Sequence, residues 1–252
     1  MIVHPNHDGT LLLITQPDHA RLAAAIVSAW NEDLLPPGLP RAVLLFAIEQ
    51  HDNGWREIDS APRLDAETGR PYDFTTAPAD VKQGIWPRGV ARLAPDSPLA
   101  AALVAEHALR LHAHRRDDPA WQDFFPALEA LRTRLLRDCD AETGTARDAF
   151  DRGYEMLRLG DLVSLVFCNR WSGPITAGGY RITMDGSDRL LVSPDPFRAV
   201  CLHFEVTARA VPDRAYGSNG DLRSAFEAAS VLTLHGSAVG APGDLPVPAC
   251  GG

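Results

Sequence analysis

Five polar side chains sit on helical faces that otherwise read as core, and they constrain this chain more than any other feature. The segment RAVLLFAIEQHDNGW runs from Arg41 to Trp55, with Leu44, Ala47 and Ile48 as its apolar stripe. His51 and Asp52 continue that stripe at i+4. His19 shares a face with Leu22, Ile26 and Trp30. His107 extends the stripe of Leu99 and Leu103, and Asp161 interrupts that of Tyr154, Leu157 and Leu165. Helical residues three or four apart lie on one face, so all five side chains are predicted to point into one interior. A buried carboxylate is costly unless it is paired or ligates a metal. Three imidazoles and two carboxylates from four helices therefore point to a metal site.

Composition limits what such a fold can do. The chain has 252 residues and a formal net charge of -9, with no global basic field for a nucleic acid duplex or an anionic membrane. No apolar run reaches the roughly 18 residues of a membrane span. The start, MIVHPNHDGT, lacks the features of a signal peptide. Cys139, Cys168, Cys201 and Cys250 form no CxxC and read as reduced thiols. The expectation is a cytoplasmic protein acting on a small anionic substrate, with a homodimer allowed.

Hydrophobic patterning organises the chain. MIVHP and TLLLIT read as a hairpin turned at Asp8-Gly9. Thr15 or Asp18 can cap a helix running to about Trp30, and Asn53-Gly54 ends the His51-Asp52 helix. The stretch from Arg56 to Ser97 is rich in Pro, Gly, Asp and Thr and reads as a long loop, either a cover over the site or a surface loop. Three helices are predicted next, over Ser97–Arg116, Trp121–Asp138 and Thr145–Arg170. Alternating runs from Gly179 to Gly236 then read as strands around a short helix, DLRSAFEAA. The expected fold is α+β and mainly α: a helical body over about 15–171 flanked by a small antiparallel sheet. That sheet would combine the N-terminal hairpin with the C-terminal β-rich part, about 178–238. One domain would span 1–240, with 241–252 a disordered tail.

The order His19, His51-Asp52, Asp161 resembles the His…His-Asp…Asp signature of the HD-domain superfamily. LxLGDLVSL resembles its final helix, with Asp161 as ligand. The resemblance implies a helical bundle, a divalent metal and phosphohydrolase activity. QPDHARL, EQHDNGW, TGRPYDF and GDLVSLVFC also resemble a bacterial family known only as a domain of unknown function, DUF3891, which implies no activity.

Three readings follow. The first is a metal-dependent hydrolase of HD type, in which a metal-activated water attacks a phosphate ester or anhydride of a small molecule or nucleotide. The second is an HD-like di-iron oxygenase. The third is a non-catalytic, metal-stabilised binding protein. The expected metal ligands are His19, His51, Asp52, His107 and Asp161, for one or two ions of Mn, Fe, Co, Ni, Zn or Mg. His107 is the candidate for a second ion or a phosphate contact; His112 and His114 rank below it. Asp52, Asp161, Glu49 and Glu106 are the candidates for catalytic or supporting roles. Lys82, Arg88 and Trp55, with Arg92, are the candidates for substrate contact.

Overall fold

The computed structural model describes residues 1–186 and 188–241. Two strands open the chain, β1 (Ile2–Pro5) and β2 (Thr10–Ile14), followed by helices α1 (Gln16–Ser28), α2 (Arg41–Gln50) and α3 (Arg56–Asp59). Four longer helices follow: α4 (Ala79–Leu93), α5 (Pro98–Leu111), α6 (Phe124–Asp138) and α7 (Gly144–Cys168). Then come β3 (Ile175–Ala177), β4 (Tyr180–Asp185), β5 (Arg189–Ser193), β6 (Leu202–Pro212), α8 (Asn219–Ala228) and β7 (Val231–Gly240).

The expected small antiparallel sheet beside a helical bundle is corrected here. All seven strands join one sheet in the order β1-β2-β6-β7-β5-β4-β3, and it curls into a half-barrel beside a helical part that makes up about 49% of the chain. The sheet is mixed, because β5 runs parallel to β7 with Leu190 opposite Ala238. The N-terminal hairpin does join the C-terminal strands, through Leu11 opposite Val211. Alternation along each run predicts strands, but it carries no information on which strands become neighbours. The parallel pair arises because β7 returns after α8 and lies between β6 and β5.

Helices α1 and α7 touch the sheet, α1 against β6 and α7 against β4 and β5. Phe167 of α7 meets Phe204 of β6 edge to face, with ring centroids 4.9 Å apart. Burying such large apolar side chains contributes roughly 1.5–3 kcal/mol each. Helix α2 packs on α1 and α7, α5 on α2 and α7, and α4 and α6 on α5. The five polar residues of interest thus lie where α1, α2, α5 and α7 meet.

The predicted long loop is also corrected. Its first residues form α3 and its second half forms α4, a 15-residue helix with Pro87 inside it. Pro and Gly suppress helical expectation along this stretch, yet Ile85, Trp86, Val90 and Leu93 are buried and hold the helix by packing. Gly54 permits that packing, since a Cβ there would lie 2.1 Å from the Ile85 carbonyl oxygen. Cys139 and Cys168 are free, and Cys250 lies outside the described residues. No helix of the described residues is long and apolar enough to cross a membrane. Of the expected tail, 241–252, residues 242–252 lie outside the described residues.

Candidate metal centre

Each candidate ligand is delivered by a local feature of the chain. Thr15 caps α1, accepting from the Asp18 backbone at 3.1 Å, and this sets His19 one turn into the helix on its buried face. Helix α2 stops at Gln50 and His51 is its C-cap, so Asp52 lies just beyond the helix rather than on its stripe. Asp161 reaches the same point because α7 approaches α1 closely at Gly160. A Cβ there would lie 2.8 Å from Val27 Cγ2.

The four groups converge. Asp52 Oδ2 lies 2.9 Å from His19 Nε2 and 3.4 Å from His51 Nε2. Asp161 Oδ1 lies 3.8 Å from His19 Nε2 and 3.5 Å from His51 Nε2. Neighbouring ligands on an ion with bonds of about 2.1 Å are about 3 Å apart, so these separations fit one cation. His19, His51 and Asp161 each present a ligand atom within 4.8 Å of the others, and Asp52 joins them through both imidazoles.

Hydrogen-bond accounting assigns the imidazole tautomers. The Ser164 hydroxyl donates to the Asp161 carbonyl at 2.8 Å, so it accepts from His19 Nδ1–H, also at 2.8 Å. His51 Nδ1–H donates to the Ile48 carbonyl at 2.7 Å. In the neutral rings both Nε2 atoms are therefore bare lone pairs turned toward carboxylates. Lone pairs facing lone pairs at these distances repel unless a proton or a metal cation lies between them. Metal-ligating histidines are oriented in this way, with the second ring nitrogen donating to an outer partner.

The electrostatics agree. Burial opposes charge on all these groups, but the mutual attraction outweighs it. Asp52 and Asp161 hold the His51 imidazole well above its ordinary pKa. His51 and His19 hold the Asp52 carboxyl far below the usual range, and Asp161 is lowered in the same way. His107 differs: burial depresses its pKa to about 4, so it is neutral, and its Nδ1 has no hydrogen-bond partner. Its Nε2 lies 3.8 Å from Asp161 Oδ2, and its ring lies 5.2 Å from that of His51.

A cavity of about 400 Å³ opens from this cluster, lined at its inner end by His19, Asp52, His107 and Asp161. Trp55 and Lys82, two of the candidates for substrate contact, line it. Part of the wall is Phe74 to Trp86, so the segment read as a cover does wall the site, although much of it is helix. The other nominated residues face elsewhere. Glu106 is buried between Arg132 and Arg110, the latter at 2.7 Å. Glu49 borders a shallow depression beside Arg21 and Phe46. Arg88 donates to the Gly54 carbonyl at 2.9 Å and Arg92 to that of Asn53 at 2.6 Å, so both hold the turn after Asp52. None of these four lines the cavity.

Residue-by-residue reading missed Gln16, Trp86 and Arg115 and ranked His112 too low; all four line the cavity. Gln16 is buried with no hydrogen-bond partner for its Oε1. It sits one turn before His19, and that i−3 spacing was the available signal. Trp86 donates from its indole N–H to His112 Nε2 at 2.9 Å, a pairing between α4 and the end of α5 that no local pattern encodes.

A model of a family described only as protein of unknown function, DUF3891, matches residues 1–213. The chain belongs to that family. The DUF3891 match covers every residue that lines the cavity and stops short of α8 and β7. No curated protein and no solved structure matches the chain. Membership in DUF3891 therefore assigns no chemistry, and the functional reading rests on the site.

Proposed function

We propose that this protein is a metal-dependent hydrolase of HD type that cleaves a phosphate ester or anhydride of a small molecule or nucleotide. The observation that carries the proposal is the convergence of the His19 and His51 Nε2 atoms with two carboxylates beside a cavity that His19, Asp52 and Asp161 line. Their order in the chain resembles that of HD-domain ligands. His19, His51 and Asp161 would hold a divalent ion with Asp52, and His107 is the available ligand for a second. The bound metal would lower the pKa of a water and polarise a phosphoryl oxygen.

The surrounding residues have definable tasks. Asp161 Oδ2, 3.8 Å from His107 Nε2, would orient the attacking water. Trp55 and Trp86 would exclude bulk water from the reacting group. The adjoining cavity favours chemistry over a purely structural metal clip, which needs no open position.

The test is elemental analysis of purified protein, with wild type compared with His51→Ala and Asp52→Ala. Wild type is expected to retain a divalent metal and to release phosphate from an aryl phosphate ester, and both variants to lose both properties. Equal metal content in all three proteins would remove the proposal. Retained iron with substrate-dependent oxygen uptake, and no hydrolysis, would transfer the site to the oxygenase reading.

A further inference from the structure

The cavity changes character along its length. Carboxylates and imidazoles form the inner end. Trp86 forms the middle, its ring 5.7 Å from that of His107 and 5.9 Å from that of His112. Lys82, His114 and Arg115 line the outer end. Lys82 and Arg115 are only partly neutralised. The Lys82 ammonium donates to the Thr75 carbonyl at 2.6 Å, and among the described residues no carboxylate lies within ion-pair distance of it. Arg115 meets half-buried Asp118, which also lines the cavity, at 3.6 Å. Arg116 next to it, by contrast, meets Glu129 at 2.7 Å. Burial and then nearby Arg115 push the Lys82 pKa down, and the Asp73 carboxylate offsets this only in part.

Such a grouping is notable on a chain of net charge -9. Like charges held together with only partial counter-charge are disfavoured, and an anion placed between them relieves the repulsion. Gln16 Oε1, buried and unpartnered on the same cavity, marks a second place where a bound molecule would satisfy a group the protein leaves open. A volume of about 400 Å³ lies in the range that encloses small organic ligands.

We propose that the molecule handled by the inner cluster carries a second anionic group, held by Lys82 and Arg115 at the cavity mouth, on a flat apolar body that lies against Trp86. The metal reading supplies only the orientation, with the reacting group innermost. The cation pair and the aromatic wall stand without it. Recognition at two poles would discriminate against molecules that carry a single charge, because the mouth cations then stay unpaired.

The test is binding of rigid aromatic dicarboxylates, followed by indole fluorescence. Terephthalate, naphthalene-2,6-dicarboxylate and biphenyl-4,4′-dicarboxylate sample the length, each against its monocarboxylate, on metal-loaded and on chelator-treated protein. On loaded protein, at least one dicarboxylate is expected to bind about tenfold more tightly than its monocarboxylate, the scale of one charge-assisted contact. Lys82→Met and Arg115→Met, both of side chains at the open mouth, should each remove most of that preference and leave monocarboxylate affinity within about twofold. On chelator-treated protein the monocarboxylates should turn around and bind at the mouth, and the same variants should then weaken them. If no member of the series prefers the second charge, or the variants leave that preference intact, the proposal is overturned while the metal reading stands. If metal uptake fails but the mouth variants still weaken the anions, the metal reading falls and the mouth site stands.

Discussion

Ser164 and Asp161 bracket one turn of α7, and that turn sets the state of His19. The Ser164 hydroxyl donates back to the Asp161 carbonyl and accepts from His19 Nδ1, both at 2.8 Å. Ser164→Ala removes the group that fixes the tautomer and leaves every proposed ligand in place. Metal affinity should fall about 10–100-fold, the usual effect of losing such an outer partner. Competition titration against a chromophoric chelator measures it, and an affinity unchanged from wild type would show that the hydroxyl does not orient His19.

Metal binding should also appear as stability. A ligand that binds only the native state at 100 times its dissociation constant adds about 2.7 kcal/mol. For a chain of this length that raises the melting temperature by about 5–10 °C. The expected result is such a rise in wild type on adding the retained metal, and none in Asp161→Asn. Calorimetry on chelator-treated protein decides it. An equal rise in the variant would place the bound ion elsewhere.

Glu106 tests the distinction between a buried acid at the site and a buried acid in the scaffold. It is clamped by Arg132 and by Arg110 at 2.7 Å, between α5 and α6, and does not line the cavity. Removing one member of a buried ion pair leaves the others uncompensated and costs about 3–5 kcal/mol; because Arg110 is half exposed, about 2–3 kcal/mol is expected for Glu106→Gln. Metal content should match wild type. Denaturant melts and elemental analysis of one preparation give both readings, and loss of metal with full stability would return Glu106 to the site.

The contrast between Asp161 and Glu106 shows what the sequence carries. Asp161 interrupts an apolar stripe, and periodicity predicts that it is buried; Glu106 only adjoins His107 and reads as a surface acid, yet both are buried. Which way a buried acid points depends on the helix opposite it. For Asp161 that helix is α1 with His19, and for Glu106 it is α6 with Arg132. The convergence of His19, His51 and Asp161 was legible because each interrupts or extends a strong apolar period, and Asp52 came with them as the neighbour of His51 just past the helix. Trp86 was not legible, because Gly84, Pro87 and Gly89 around it argue against the helix that carries it. The breadth of the sheet was not legible either, since the placing of β7 between β6 and β5 is a long-range choice.

His112 predicts an acid-side loss of stability. It is buried against Trp121 and accepts from the Trp86 indole, and burial depresses its pKa from 6.5 to about 3. The folded state thus binds fewer protons than the unfolded state between those values. The contribution is fully present above pH 6.5 and is lost as pH falls toward about 3. At about 1.4 kcal/mol per unit, up to about 5 kcal/mol of this dependence should belong to His112. His112→Gln, which retains an acceptor, should flatten the stability profile across that window. Urea melts from pH 7 down to the acid limit would measure it, and parallel profiles for the two proteins would contradict the assignment.

Gly160 links the close approach of α7 and α1 to the ligand set. A Cβ at this position would lie 2.8 Å from Val27 Cγ2 and 3.5 Å from Ile48 Cγ2, so it meets both helices that supply the histidines. Val27 is β-branched and held in the core, and it has few rotamers into which to retreat. Gly160→Ala should therefore push α7 outward by a fraction of an ångström, and overpacking of this kind costs about 1–3 kcal/mol. The adjacent Asp161 moves with the helix, which lengthens its reach to His19 and His51, so metal affinity should fall together with stability. Val27→Ala in the same chain clears the space that the new methyl needs. The double variant is expected to recover metal affinity even where it does not recover full stability, because the helix spacing is restored while apolar contact is lost. Chelator competition on the single and double variants measures the recovery. If affinity stays low in the double variant, helix spacing is not what places Asp161.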